Sequence, residues 1–176
     1  VGRYYHGLGF VIAPNHIKKI KDFNPINVRI CSLSLHGKPK GISIINTHCP
    51  TSLKPTDDKE RHYKQLQEEY DSLNASDVVY QIGDYNTRLE ARLDHEHEVL
   101  GPHVLGPGFD AIERQSKQTS ESRTLFIEHC RGRDLTVMNI RFEKQPYAYC
   151  TYREPRVKSF EPPWTFKDYE LLDFLI

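Results

Sequence analysis

The run Val78-Val79-Tyr80-Gln81-Ile82-Gly83-Asp84-Tyr85-Asn86 decides how this chain is to be read. Its first five residues are β-branched, aromatic or apolar around one glutamine and read as a short strand. A glycine then hands the chain to a carboxylate and an amide separated by one residue. Upstream, Tyr63, Leu66, Tyr70 and Leu73 recur at helical spacing. A helix capped by Asp57 or Asp58 and running to about Leu73 is expected, with those four as its buried stripe. Pro50-Thr51 and Pro55 part that helix from a preceding strand over residues 41–48. There Ile42, Ile44, Asn46 and His48 share one face, and Ser43, Ile45 and Thr47 the other. The turn His36-Gly37-Lys38-Pro39 makes residues 28–35 its hairpin partner. The apolar phase of that partner shifts between Ile30 and Leu33, which predicts two covered faces or a bulge.

Towards the ends the pattern is looser. Gly7-Leu8-Gly9-Phe10-Val11-Ile12 reads as a strand stopped by Ala13-Pro14-Asn15. Residues 101–118, with three glycines and two prolines, read as a largely irregular surface loop. Thr119 or Ser120 is expected to cap a helix carrying Leu125, Phe126 and Cys130 and ending near Gly132. Further strands are expected over residues 135–139, where Leu135, Val137 and Asn139 align, and over 147–152. Pro155, Pro162 and Pro163 interrupt the next stretch, and Leu171-Leu172-Asp173-Phe174-Leu175-Ile176 reads as a last strand with Asp173 opposite Leu172 and Phe174.

Length and composition bound the answer. The 176 residues suit one domain, 1–176, and 38% hydrophobic with 27% charged residues suits a soluble globular chain. The 24 Lys and Arg balance 24 Asp and Glu, which removes any global electrostatic argument for nucleic acid but not a local basic surface. No apolar run approaches the roughly 18–20 residues that span a membrane. The first residues lack the pattern of a cleaved leader. Cys31, Cys49, Cys130 and Cys150 form no close pair, so buried free thiols in a reducing, intracellular setting are expected.

Several strands finish in polar residues: His48, Asp84 and Asn139, with Asp173 inside the last strand. A carboxylate in apolar sequence must be paired or metal-bound if it is buried. Each of these residues taken singly is most simply a turn cap or a satisfied core group. Residue type and spacing do not combine them into a site.

In order, Gly7-Leu8-Gly9-Phe10, Asn46-Thr47-His48-Cys49-Pro50-Thr51 and Gly83-Asp84-Tyr85-Asn86-Thr87 resemble the endonuclease/exonuclease/phosphatase superfamily. The likeness is greatest to the apurinic-endonuclease-like domains of non-LTR retrotransposons and to craniofacial-development-protein-2-like proteins. It extends over residues 58–66, 101–106, 135–142 and 172–176. The resemblance implies an α/β fold of DNase I type, a four-layered sandwich of two mixed sheets with outer helices. It also implies hydrolysis of phosphodiesters or phosphate esters with Mg²⁺ (Mn²⁺ the alternative). The implied partner is nucleic acid, DNA foremost, and the implied setting is intracellular, the nucleus included.

Residue by residue, the resemblance makes Asp84 the group that orients or deprotonates the attacking water. Asn86 becomes a contact to the scissile phosphate, and Asp173 the carboxylate that orients a catalytic histidine. His48 stands where retrotransposon endonucleases commonly carry Tyr and matches the Asn-x-His pattern of the DNase and phosphatase branches. It would bind phosphate or protonate a leaving oxygen. Asn139 would be a substrate contact near the same cleft. The family's early metal-binding Glu and terminal Ser-Asp-His have no counterpart, so the metal ligands stay unassigned and the domain is expected to be partial, inactive by itself. Glu90 and Glu98 come after the Gly-Asp-x-Asn motif and do not replace that Glu. Three readings stand: a nucleic-acid phosphodiesterase, a phosphatase of small phosphate esters, or a decayed, transposon-derived interaction domain.

Overall fold

A computed structural model describes residues 7–155 and 169–176. Its centre is a strand–helix–strand unit. Strand β3 (Ile42–His48), helix α1 (Thr56–Ser72) and strand β4 (Val78–Asp84) follow one another, and β3 pairs parallel with β4. Antiparallel neighbours complete a mixed five-stranded sheet: β1 (Ile20–Asn27) and β2 (Ile30–Leu35) beside β3, and β7 (Asp173–Leu175) beside β4, in the order β1-β2-β3-β4-β7. A second sheet is the two-stranded ribbon of β5 (Tyr152–Arg153) and β6 (Tyr169–Glu170). A short helix α2 (Phe109–Glu113) precedes α3 (Lys117–Arg131), which packs beside α1. The architecture is an α/β sandwich of DNase I type, incomplete.

Register divides the sheet into two unlike faces. The pairings of β2, β3, β4 and β7 align Ile30, Ser32, Ile45, Thr47, Gln81 and Phe174 on one of them. Helices α1 and α3 cover it, and the core joins Ile30 and Ile45 to Tyr63, Leu66, Tyr85, Phe126 and Phe174. Polar side chains on this face are matched across the interface. Ser32 donates to Glu69 at 2.6 Å, Thr47 Oγ1 meets His62 Nε2 at 2.9 Å, and Gln81 Oε1 meets His129 Nε2 at 2.9 Å. The opposite face carries Asn46, His48, Asp84 and Asp173, and leaves Ile42, Val78, Tyr80 and Leu175 each more than a third exposed.

Several local expectations need correction. Residues 7–13 form no strand; they run irregularly over the open face, where Asn46 Nδ2 donates to Gly9 O at 3.1 Å. Strand β1 has no forerunner in the sequence pattern, because its sequence IKDFNPIN is polar and holds Pro25. It is an edge strand with register shifts at both ends, the place where a sheet tolerates proline. Strand β2 is buried from Ile30 to Leu33, the two-covered-faces alternative. Helix α1 starts one residue before Asp57 with no side-chain cap. Asp57 and Asp58 occupy its first turn, where the helix dipole favours them.

Helix α3 is capped by Ser116, whose Oγ accepts from Thr119 N; Thr119 is the capped residue, not the cap. Residues 135–139 are not a strand: Met138–Ile140 is a 3-10 turn, because Asn139 turns its amide onto β7. The strand expected over 147–152 shrinks to β5 behind a 3-10 turn at Pro146–Ala148, and the last strand, expected over 171–176, narrows to β7, with β6 lying before it. Residues 101–118 are irregular apart from α2 and the start of α3, but Gly101 is buried: a Cβ there would lie 2.1 Å from Ile140 O. Pro162 and Pro163 lie outside the described residues. The four cysteines are free, three of them buried.

The helix–sheet interface makes the fold acid-labile. Burial, followed by the charges of Arg29, His129 and His48, holds His62 down at about 4; burial, then Arg133, does the same to His129. In the unfolded chain both protonate near 6.5. Their contribution is therefore whole above pH 6.5 and is lost as pH falls towards 4. At 1.36 kcal/mol per unit, the buried His62 alone is worth about 3 kcal/mol over that window. Urea denaturation at pH 7 and pH 4.5 is expected to show the loss, and His62→Gln should flatten it.

Candidate active site

Parallel pairing explains why polar side chains gather at one edge. Since β3 and β4 run the same way, their carboxyl ends coincide, and His48 pairs directly with Asp84. Strand β7 runs against β4 and starts at that edge, so Asp173 pairs with Asp84 from the other side. Side chains alternate across a sheet, and these three share the face away from the helices. The outer end of parallel strands is where α/β sheets commonly hold ligands.

His48 Nε2 lies 3.8 Å from Asp84 Oδ2, close enough for charge interaction and beyond a direct hydrogen bond. Both side chains are about a third exposed, so the edge is open to water. Asp84 has its pKa raised: burial is the largest cause and the Asp173 charge adds to it, against the Asn86 N–H, His48 and Arg29. A carboxylate held up in this way is a better base than a free one. Its Oδ1 accepts from Asn86 N at 2.8 Å, while Asn86 Nδ2 donates to Cys49 O at 2.8 Å. Asn86 adopts φ 49°, a left-handed conformation that asparagine tolerates. These bonds fix the turn that carries the motif.

Gly83 has a simple physical reason. Its φ is +140°, and a Cβ there would sit 1.9 Å from Thr47 O, inside the neighbouring strand's backbone. Any side chain would push β4 off β3 and move Asp84 with it.

Asn139 reaches the same edge but faces the backbone. Its Nδ2 donates to Asp173 O at 3.3 Å and its Oδ1 accepts from Leu175 N at 2.6 Å. The amide stands in for a further strand on β7, which positions Asp173 and leaves one N–H for any other partner. His48, Asp84, Asn86 and Asp173 are thus brought together, with Asn139 as their buttress.

Two groups escaped the sequence reading. Arg29, immediately before β2, donates through Nη1 to His48 O at 2.9 Å and tethers the end of β3. His62 lies beneath Thr47, next in sequence to His48. An arginine immediately before a buried strand was a legible sign; the His62–Thr47 pairing was not, since only the tertiary fold creates it. Glu90, at φ 62°, lies away from the pair, in a cavity of about 700 Å³ lined also by Arg88, Arg114 and Glu170. Burial raises its pKa. Arg88 closes bidentately on Glu170 at 2.8 and 2.9 Å, so charges on that wall are already matched.

A divalent metal is what the family resemblance implies here, and the donors fall short of it. Among the described residues no group of three or more His, Cys, Asp or Glu side chains could hold an ion. Asp84, Asp173 and His48 share the edge, but they do not form a group that could hold one ion.

No family model matches the chain. Craniofacial development protein 2 from Bos taurus is 24% identical over 150 residues, 85% of this chain and 23% of the relative; the Tragulus javanicus protein is also 24% identical, over 85% and 24%. The chain spans about a quarter of the length of these curated relatives. An endonuclease/exonuclease/phosphatase family protein from Leptotrichia buccalis C-1013-b aligns in structure at 16% identity and a TM-score of 0.45, covering 89% of this chain and 49% of that one. The likeness to craniofacial development protein 2 bears out the distant resemblance on which the motif reading rests. No helix among the described residues is long and apolar enough to cross a membrane.

Proposed function

We propose that this chain supplies the water-activating and phosphate-binding edge of a metal-dependent phosphodiesterase that acts on nucleic acid, DNA foremost, within the cell and its nucleus. One observation carries the reading: three strands deliver His48, Asp84 and Asp173 to one edge on one face, with His48 and Asp84 3.8 Å apart. Asp84 takes the proton of the attacking water as its O–P bond forms, and burial first, then the charge of Asp173, keeps Asp84 basic. Asn86, with one N–H committed to Cys49 O, offers its other to a phosphoryl oxygen. His48, on the far side of Asp84 from β7, donates to phosphate or to the departing oxygen. Mg²⁺, or Mn²⁺ in its place, would supply Lewis-acid stabilisation of the phosphoryl charge. The described residues hold no complete donor set for it, and none of these steps is routed through it.

Plasmid nicking tests the proposal. The 176 residues alone, titrated with Mg²⁺, are expected to nick poorly, because Mg²⁺ demands near-octahedral geometry and surrenders its waters reluctantly. A longer protein that contains the chain and a complete metal site is expected to nick. Absence of nicking there would sink the nuclease reading. Robust nicking by the 176 residues, abolished by chelator and by Asp84→Asn, would show that they complete a metal site themselves. A phosphatase of small phosphate esters is the second reading, favoured by His48 at a position where retrotransposon endonucleases commonly hold Tyr. A decayed interaction domain is the third, favoured by the lack of a group that could hold a metal ion among the described residues.

A further inference from the structure

Beside His48 the sheet edge opens into another hollow. Its cavity of about 330 Å³ is bounded by Arg29, Lys54, Asp58, Arg61, His62 and Gln65, among others. Asp58, Arg61, His62 and Gln65 recur at spacings of three and four on α1 and so face the cavity together. Arg29 is the wall shared with the candidate site, through its bond to His48 O. His62 is the floor, 4% exposed, its Nε2 committed to Thr47.

The charge here is one-sided. Two cationic side chains, Lys54 and Arg61, face one carboxylate, Asp58, and Arg29, whose charge also acts on Asp84, borders the cavity. Asp58 pairs with Arg61 at 3.0 Å, but the two side chains are 44% and 65% exposed, and such a surface pair exchanges readily for a better anion. Burial chiefly, with the charges of Arg29, His129 and His48 added, holds the His62 pKa down to about 4, so the floor of the cavity adds no charge at neutral pH.

We propose that this cavity binds a second phosphate of the same polynucleotide strand, the one next to the phosphate held over His48 and Asp84, with Lys54 and Arg61 as its ligands. The inference rests on the phosphodiesterase reading and deepens it. A small phosphate monoester has no neighbouring phosphate to fill the cavity, whereas a strand offers one at every step. Contacts of this kind hold a strand in register without reading its bases. They also make affinity depend on salt, because each neutralised phosphate releases counterions.

The test uses the 176-residue chain with chelator present, so that binding is read without turnover. A fluorescent single-stranded thymidine hexanucleotide is titrated by anisotropy at several salt concentrations. Lys54→Ala and Arg61→Ala, both exposed positions, are each expected to weaken binding about 3- to 10-fold. Each should also reduce the slope of log K against log salt by about 0.7, the single-strand increment for one phosphate. Lys40→Ala removes the same charge at the opposite end of β3 and is expected to change neither. Inorganic phosphate should compete weakly, and through the same two residues.

Unchanged binding in both Lys54→Ala and Arg61→Ala, or equal weakening in Lys40→Ala, would overturn the subsite. So would loss of inorganic phosphate binding in those variants with hexanucleotide binding intact, the mark of a free-anion pocket. Any of these leaves the phosphodiesterase reading standing if Asp84→Asn still abolishes turnover in the longer protein. A hexanucleotide that binds nowhere on the chain overturns the subsite as well.

Discussion

Asp84→Asn, introduced in a longer protein that carries this chain, is expected to cut turnover of duplex DNA about 10²- to 10⁴-fold, the usual worth of a positioned general base. Folding should survive. The Oδ1 of an asparagine accepts the Asn86 N–H as Asp84 does, so the turn is kept, while charge and basicity are lost. Removing that carboxylate also relieves its burial and its repulsion by Asp173, the two influences that raise its pKa. The pH profile adds a sign. Activity should fall as pH drops through the Asp84 pKa, and Asp173→Asn should shift that limb to lower pH by removing a charge that holds the pKa up. Unchanged turnover in Asp84→Asn, or a limb that moves upward in Asp173→Asn, would count against the assigned base.

The largest effect on stability is expected at Arg123. Its guanidinium meets Glu96 bidentately at 2.6 and 2.7 Å, with the side chains 8% and 2% exposed, and also donates to Leu89 O and Ala91 O. Burial by itself would raise the Glu96 pKa; Arg123 and the Leu93 N–H outweigh it, and the net shift is downward. Arg123 therefore pins to α3 the segment just beyond the Gly-Asp-x-Asn motif. Arg123→Met leaves Glu96 buried and unpaired and is expected to cost about 3–5 kcal/mol, measured by urea denaturation. The double variant Arg123→Met, Glu96→Met should recover most of that loss, since apolar pairs often replace buried ion pairs without penalty. A single-variant loss below about 1 kcal/mol would mean that water reaches the pair.

The parts of this molecule that were legible beforehand are those written in local periodicity. Helix α1 shows its spacing in Tyr63 and Leu66, and strands β3 and β4 show apolar runs closed by turn residues. Strand β1 was hidden because an edge strand with polar residues and Pro25 carries no apolar alternation. Residues 135–139 misled in the opposite way. Their alternation is real, but Asn139 spends its amide on β7, and the backbone turns to let it do so.

The candidate site was legible only in part. Asp84, Asn86, His48 and Asp173 came from motif and resemblance, and parallel pairing of β3 with β4 gave the physical reason for their nearness. Arg29 and His62 needed the fold itself. The buried polar partners Glu69, Lys59 and Arg123 were equally hidden, because their contacts join distant stretches of chain: Ser32 with Glu69, Lys59 with Glu121, Glu96 with Arg123.

The central claim is that this edge hydrolyses phosphodiesters of nucleic acid, and substrate competition tests it most directly. The longer protein, with Mg²⁺, is given duplex DNA and a small phosphate monoester such as p-nitrophenyl phosphate in parallel, each with and without Asp84→Asn. DNA should be cleaved with the larger kcat/KM, and Asp84→Asn should abolish that cleavage. Faster hydrolysis of the monoester, or DNA cleavage that survives Asp84→Asn, would contradict the account.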